Sequence, residues 1–159
     1  MKTITKTIIL FTFFTLTLGT DKLTACTDFR IIAKDKTVIN ARTMEFPSDL
    51  KSRIWVIPRG VNTTSINDKG VKGLSWTNKY AFMALDAYGM DSTYIDGFNE
   101  AGLSAGGLMF TEAVYQKAEP GKFVTYADII SWLLGNFKNV EEVKKELPKI
   151  KIADTYIKK

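Results

Sequence analysis

An α+β fold is predicted for this 159-residue chain, and two observations predict it. From residue 26 to about residue 110, short apolar stretches alternate with polar residues at the two-residue period of strands, broken by turn-forming clusters. From residue 125 onward the period becomes helical, with Ile129, Ile130, Leu133, Leu134 and Phe137 on one face. Strands first and helices afterwards is the α+β order. The length, with no internal repeat or low-complexity linker, indicates one domain.

The elements follow in order. "CTDFRIIAKDKTVINARTM" (26–44) reads as a hairpin. Phe29, Ile31 and Ala33 alternate against Arg30, Ile32 and Lys34, "KDKT" (34–37) is a polar turn, and "VINARTM" is the second strand. This hairpin is expected to be buried. "EFPSDLKS" (45–52) is a loop holding Pro47, and "RIWVIPRG" (53–60) is a strand stopped by Pro58 and Gly60. "VNTTSINDKGVKG" (61–73) is polar and turn-rich and reads as a loop with little to pack; the match of Asn62-Thr63-Thr64 to a glycosylation sequon is taken as chance. "LSWTNKYAFMALDAYG" (74–89) holds a strand around 79–86.

"TYIDGFNEAGLSAGGLMF" (93–110) is the clearest hairpin, turning at "NEAG" (99–102), where Gly102 can supply the left-handed residue. Gly106 and Gly107 in its second strand imply close approach by another backbone or a ligand. In "TYADIISWLLGNF" (125–137), Thr125 is the expected N-cap and Asp128 completes a capping box. Asn139 caps a second helix, "VEEVKKELPKI" (140–150), with Val140, Val143 and Leu147 on one face and Pro148 ending it.

Composition narrows the chemistry. Hydrophobic residues make up 45% and charged residues 25%, a globular composition. There is no histidine, which removes Ser-His-Asp triads, Cys-His dyads and histidine-ligated metal sites together. One cysteine allows neither an internal disulfide nor a thiolate cluster, so no metal and no cofactor is expected. A net charge of +5, with no basic run interleaved with aromatics, gives no case for nucleic acid.

The N-terminus is tripartite. Lys2 and Lys6 form a basic start, "TIILFTFFTLTLG" (7–19) an apolar core too short to span a bilayer comfortably, and "TDKLTA" (20–25) a polar run ending in the small Ala25. Residues 1–25 therefore read as a cleaved signal peptide and 26–159 as the mature chain, periplasmic or secreted, with no membrane segment in the mature form.

The lone Cys26 then has three readings. "LTAC" (23–26) fits a lipobox, which makes Cys26 a lipid anchor and the protein a lipid-anchored binding module. Against this, Asp21 and Lys22 separate the lipobox from the apolar core, and no polar tether follows the cysteine. The second reading is an idle thiol, odd in an oxidising compartment where free cysteines are modified. The third is a nucleophile. Cleavage before Cys26 would put a thiol and a free α-amine on one residue. An α-amine titrates near neutrality, at roughly 7.7–8.0, and can take the thiol proton with no histidine. Arg42 and Glu45, on the strand folded back beside Cys26, could supply a fixed cation and an acceptor for the amine; a plain surface ion pair is the alternative.

"CTDFR…ARTMEF", a cysteine with arginine sixteen residues on and an acid nineteen on, resembles the start of the choloylglycine hydrolase family, the bile salt hydrolases and penicillin V acylases. "IWVIPRG" (54–60), "WTNKYAFMA" (76–84), "DGFNEAGL" (96–103), "GGLMF" (106–110) and the helix pair at 125–150 keep the family's order, and the signal-bearing form resembles its Gram-negative branch. The resemblance implies an αββα N-terminal-nucleophile hydrolase sandwich, of which these residues form the N-terminal part. It also implies hydrolysis of a linear amide in a small-molecule substrate: a conjugated bile salt, penicillin V or an acyl-homoserine lactone. It makes Cys26 the nucleophile with its amine as base, and Arg42 the arginine beside the thiol. Glu45 stands where the family usually has Asp, and Met109 lends its backbone N–H to the oxyanion hole. The loops at 46–52 and 111–122 match those shaping the family's acyl pocket. Family members run on beyond this chain, and their second half supplies an oxyanion-hole asparagine and a further arginine. The resemblance therefore implies an N-terminal portion, weakly active or inactive alone, with a second polypeptide or oligomer completing the fold.

Overall fold

The computed structural model describes residues 26–46, 48–108, 110 and 112–154. The leader expected at 1–25 and the oxyanion-hole candidate Met109 lie outside the described residues. Ten strands and two helices follow in order: β1 (Asp28–Ile32), β2 (Val38–Arg42), β3 (Ile54–Ile57), β4 (Asn62–Ile66), β5 (Lys72–Thr77), β6 (Phe82–Asp86), β7 (Tyr94–Asn99), β8 (Ser104–Gly106), β9 (Phe123–Thr125), α1 (Ile129–Asn136), α2 (Val140–Glu146) and β10 (Lys151–Ala153). A 3₁₀ turn, Leu147–Lys149, carries Pro148 and links α2 to β10. No helix among the described residues is long and apolar enough to cross a membrane.

The centre is an antiparallel sheet in the order β3-β6-β7-β8. Its pleat sorts the side chains of β6: Phe82, Ala84 and Asp86 are buried on one face, and Met83 is exposed on the other. On the buried face α1 packs against β7 and β8 and reaches β5. Trp132 and Leu134 enter a core with Trp76, Phe82, Tyr94, Leu103 and Val124. Leu134 is fully buried, which contributes about 1.5–3 kcal/mol. Gly97 makes the close approach possible: a Cβ there would lie 2.4 Å from Met83 O and 2.8 Å from Leu134 Cδ1.

Asn99, 2% exposed, ties this layer together. Its amide nitrogen donates to Leu134 O (2.9 Å) and Phe137 O (2.7 Å), carbonyls that the end of α1 leaves without helical partners. Its oxygen accepts from Ala101 N (3.1 Å) and Leu103 N (3.0 Å), closing the β7–β8 turn. Gly102 in that turn has φ +90°, the left-handed conformation expected of it.

Four sequence expectations are corrected. The stretch 61–73 is not a loop: β4 and β5 form an antiparallel hairpin turning at 67–70. Its polar composition hid a strand because the residue β4 buries is Ser65, whose hydroxyl accepts from Thr125 N (2.8 Å) and donates to Asp128 Oδ2 (2.6 Å). Thr125 is not the N-cap of α1 but the last residue of β9; Asp128 occupies the cap. The capping-box signature instead builds a turn, with Thr125 Oγ1 donating to Asp128 Oδ2 (2.7 Å). The chain continues past the helices into β10, which pairs in parallel with β9. Finally, the first hairpin is largely exposed rather than buried: every residue of β1, including Phe29 and Ile31, is exposed, and in β2 only Ala41 and Arg42, at its end, are half-buried. Asn139 does cap α2, accepting from Glu142 N (2.9 Å).

Candidate active site

The β1–β2 hairpin places the candidate residues. Asp28 pairs with Arg42, and the ladder extends one step further: Thr43 N donates to Thr27 O (2.9 Å). Strand alternation then puts Cys26, Asp28 and Arg42 on one face. Asp28, not Cys26, lies directly opposite Arg42; Cys26 is its diagonal neighbour, a separation of about 7–8 Å between such positions. Cys26 is half-buried, and its Sγ lies 4.0 Å from Glu45 O.

Arg42 and Glu45 are not paired with each other. Arg42 Nη1 reaches across to the central sheet, to Asp96 Oδ1 (3.1 Å) and Oδ2 (3.0 Å) and to Gly107 O (2.9 Å). The two side chains are only 12% and 19% exposed. Burial pushes the Asp96 carboxyl above its usual range; the charge and hydrogen bond of Arg42 oppose the shift, and the negative charge of Asp28 adds to it. Gly106 makes room for this pair: a Cβ there would stand 2.6 Å from Asp96 Oδ1 and 3.6 Å from Arg42 Nη1. The close approach expected at Gly106 is therefore by side chains. Asn40 donates to Ser104 Oγ and makes a second tie between hairpin and sheet. Between the two lies a cleft of about 820 Å³ lined by Arg42, Met44, Ile54, Met83, Asp96 and Phe98 among others.

The Glu45 carboxylate accepts from Thr43 Oγ1 (2.9 Å). The loop that follows is braced from the other end of the central sheet. Phe46 meets Tyr88 edge-on (6.0 Å between centroids), Ser48 Oγ lies 2.9 Å from Tyr88 Oη, and Tyr88 N donates to Leu50 O (2.6 Å). Tyr88 holds a left-handed φ of 58°. Its loop is strapped down by Arg53, which binds Asp86, Gly89 O and Asp91 and lies over the Trp55 ring. Asp86 is fully buried, which disfavours its charge. Hydrogen bonds from Trp55 Nε1 and Arg53, with the Arg53 charge, outweigh that and hold its carboxyl below the usual value.

Asp96, Thr43 and Gly106 are the site residues that motif reading did not single out in these roles. Asp96 lies inside "DGFNEAGL", but its partner is 54 residues away and on another sheet. No group of three or more His, Cys, Asp or Glu among the described residues could hold a metal ion. What the arrangement offers is a half-buried thiol two residues before the partner of Arg42, a guanidinium fixed by the central sheet, and a carboxylate held by the Thr43 hydroxyl.

Comparison with known proteins agrees with the resemblance in the sequence. Residues 26–159 match the family model described as linear amide C–N hydrolases, choloylglycine hydrolase family. The chain is 32% identical over 155 residues to a penicillin V acylase of Pectobacterium atrosepticum, covering 92% of this chain and 40% of that protein. It is 35% identical over 133 residues to a bile salt hydrolase/transferase of Clostridium perfringens, covering 81% of this chain and 39% of that protein. Among solved structures, the penicillin V acylase of Agrobacterium tumefaciens superposes with a TM-score of 0.71 at 29% identity, covering 81% of this chain and 40% of that one. A mutant conjugated bile acid hydrolase of Clostridium perfringens gives 0.67 at 27%, covering 85% and 41%. The fold is thus the α+β, N-terminal part of the N-terminal-nucleophile hydrolase sandwich. The chain spans about 40% of the length of these relatives. With a family model matched from Cys26 to the last residue, and relatives agreeing in both sequence and fold, this chain belongs to the choloylglycine hydrolase family of linear amide C–N hydrolases.

Proposed function

We propose that this polypeptide belongs to an exported amidase whose nucleophile is Cys26, freed as residue one by removal of residues 1–25. The observation that carries the reading is the hairpin register, which pairs Arg42 with Asp28, two residues after Cys26, with Arg42 held by Asp96 and Gly107 O. In the reaction the α-amine takes the thiol proton and the thiolate attacks the amide carbonyl carbon. Arg42 provides positive charge beside the thiolate, and Glu45 orients the ammonium. The backbone N–H of Met109 is assigned to the oxyanion that forms. Collapse of the tetrahedral adduct breaks the C–N bond, and the ammonium gives its proton to the leaving amine. Water then attacks the thioester, releasing the carboxylic acid and restoring the thiol. No cofactor is needed. Relatives named for penicillin V and for bile salts support a small molecule with a bulky acyl group on a linear amide; the export read from residues 1–25 would put the reaction in the periplasm or outside the cell.

N-terminal sequencing of the exported product tests the reading. The expected start is Cys-Thr-Asp-Phe with an unmodified thiol. A start at any other residue removes the amine base and overturns the mechanism. A start at Cys26 with incorporated palmitate assigns the residue to a lipid anchor instead.

A further inference from the structure

We propose that Thr43 is a positioning residue whose hydroxyl holds the Glu45 carboxylate against the backbone that follows Cys26. The inference rests on the reading of Cys26 as an N-terminal nucleophile and Glu45 as the partner of its amine.

The geometry uses both capacities of one hydroxyl. Thr43 Oγ1 accepts from Thr27 N at 3.1 Å and donates to Glu45 Oε2 at 2.9 Å. The directions are unambiguous, because an amide N–H cannot accept and an ionised carboxylate cannot donate. Thr43 is itself fixed, since its own N–H donates to Thr27 O at 2.9 Å. Glu45 follows two residues after Thr43, just past the end of β2. Left to itself, an exposed glutamate samples many rotamers in water. Here its carboxylate is tied to the Thr43 hydroxyl, which in turn accepts from the first peptide N–H after Cys26, one residue from the amine that cleavage creates.

Closing the hairpin does not require this bond. The backbone pairing of Thr27 with Thr43, and the five pairs of β1 with β2, already set the register. Both hydroxyl bonds lie at exposed positions where water can replace them. Valine matches threonine in shape and suits a strand. Thr43→Val should therefore keep the hairpin and release the carboxylate.

The test uses exported protein whose N-terminal Cys26 has been verified, and reads the rate of Cys26 alkylation by iodoacetamide at neutral pH. Thr43→Val is expected to slow alkylation by about tenfold, the scale of one hydrogen bond to a charged group. Thr43→Ser, which keeps the hydroxyl, should stay within about twofold of the parent. Glu45→Gln should slow the reaction as Thr43→Val does, and the double variant should be no slower than Glu45→Gln alone. If Glu45→Gln is slow while Thr43→Val alkylates at the parent rate, the inference about Thr43 is overturned and the nucleophile reading stands. Fully additive losses in the double variant overturn it too, since Thr43 would then act independently of Glu45. If Glu45→Gln alkylates at the parent rate, Glu45 has no part in activating the thiol. The role given to it above then fails, and this inference with it.

Discussion

Asn99→Ala removes four hydrogen bonds with one side chain. The carbonyls of Leu134 and Phe137 lose their donor, and the amides of Ala101 and Leu103 lose their acceptor. Ala101 is exposed and can turn to water, but Leu134, Phe137 and Leu103 are buried. A buried polar group left unpaired costs about 1–3 kcal/mol. Three such groups, partly relieved by water entering the vacated space, give an expected loss of about 3–5 kcal/mol. That is a large share of the roughly 5–15 kcal/mol that holds a domain together. The loss also reaches the site, because Asn99 ends the strand that carries Asp96. Urea unfolding followed by tryptophan fluorescence suits the measurement, since the Trp132 ring meets Phe137 edge-on at 4.8 Å beside the lost bonds. Asn99→Asp adds a pH test. Its oxygens can still accept, but the ionised group faces two carbonyl oxygens in a buried site, so its folded-state pKa lies above the unfolded value. Protons are then bound more tightly in the folded state, and stability falls as pH rises from the ordinary carboxylate range through the raised value. Asn99→Asp should therefore regain stability between pH 7 and about pH 4. A loss below about 1 kcal/mol for Asn99→Ala, or a pH-independent Asn99→Asp, would refute the reasoning.

Two further outcomes are expected. Gly106→Ala would put a Cβ 2.6 Å from Asp96 Oδ1, so either the carboxylate or Arg42 must move; with a displacement near 1 Å, amide turnover by the amidase proposed above, assayed with its fold completed, should fall about 100-fold with little change in melting temperature. Asp86, held below its ordinary value of 3.8, contributes stability that is complete above about pH 4 and lost as pH falls through the lowered value. Asp86→Asn should flatten that acid limb of the stability curve and lower the folded-to-unfolded ratio at neutral pH by about tenfold, from the weakened bonds to Trp55 and Arg53.

Features governed by neighbours in the chain were legible in the sequence. The two-residue period and the turn at 34–37 were enough to place Arg42 on the strand beside Cys26, because hairpin pairing follows from where the turn falls. Gly102 and Asn139 were legible for the same reason, since a left-handed turn residue and an N-cap act within three or four positions. The cysteine, the arginine and the acid at their spacing also carried the family. The sequence misled wherever a polar residue does interior work. Ser65 disguised a strand, and Thr125 with Asp128 imitated a cap, because local patterning weighs polarity, whereas the fold weighs whether each polar group finds a partner. The parallel pairing of β9 with β10 across two helices has no local signature at all. Only the tertiary structure decided what holds Arg42. Asp96 and Gly107 come from a different sheet, 54 and 65 residues away, and their meeting depends on how the hairpin lies over β7 and β8. Candidate residues can thus be named from spacing, but the alignment of Arg42 is set by contacts between sheets, and these form only when the chain packs.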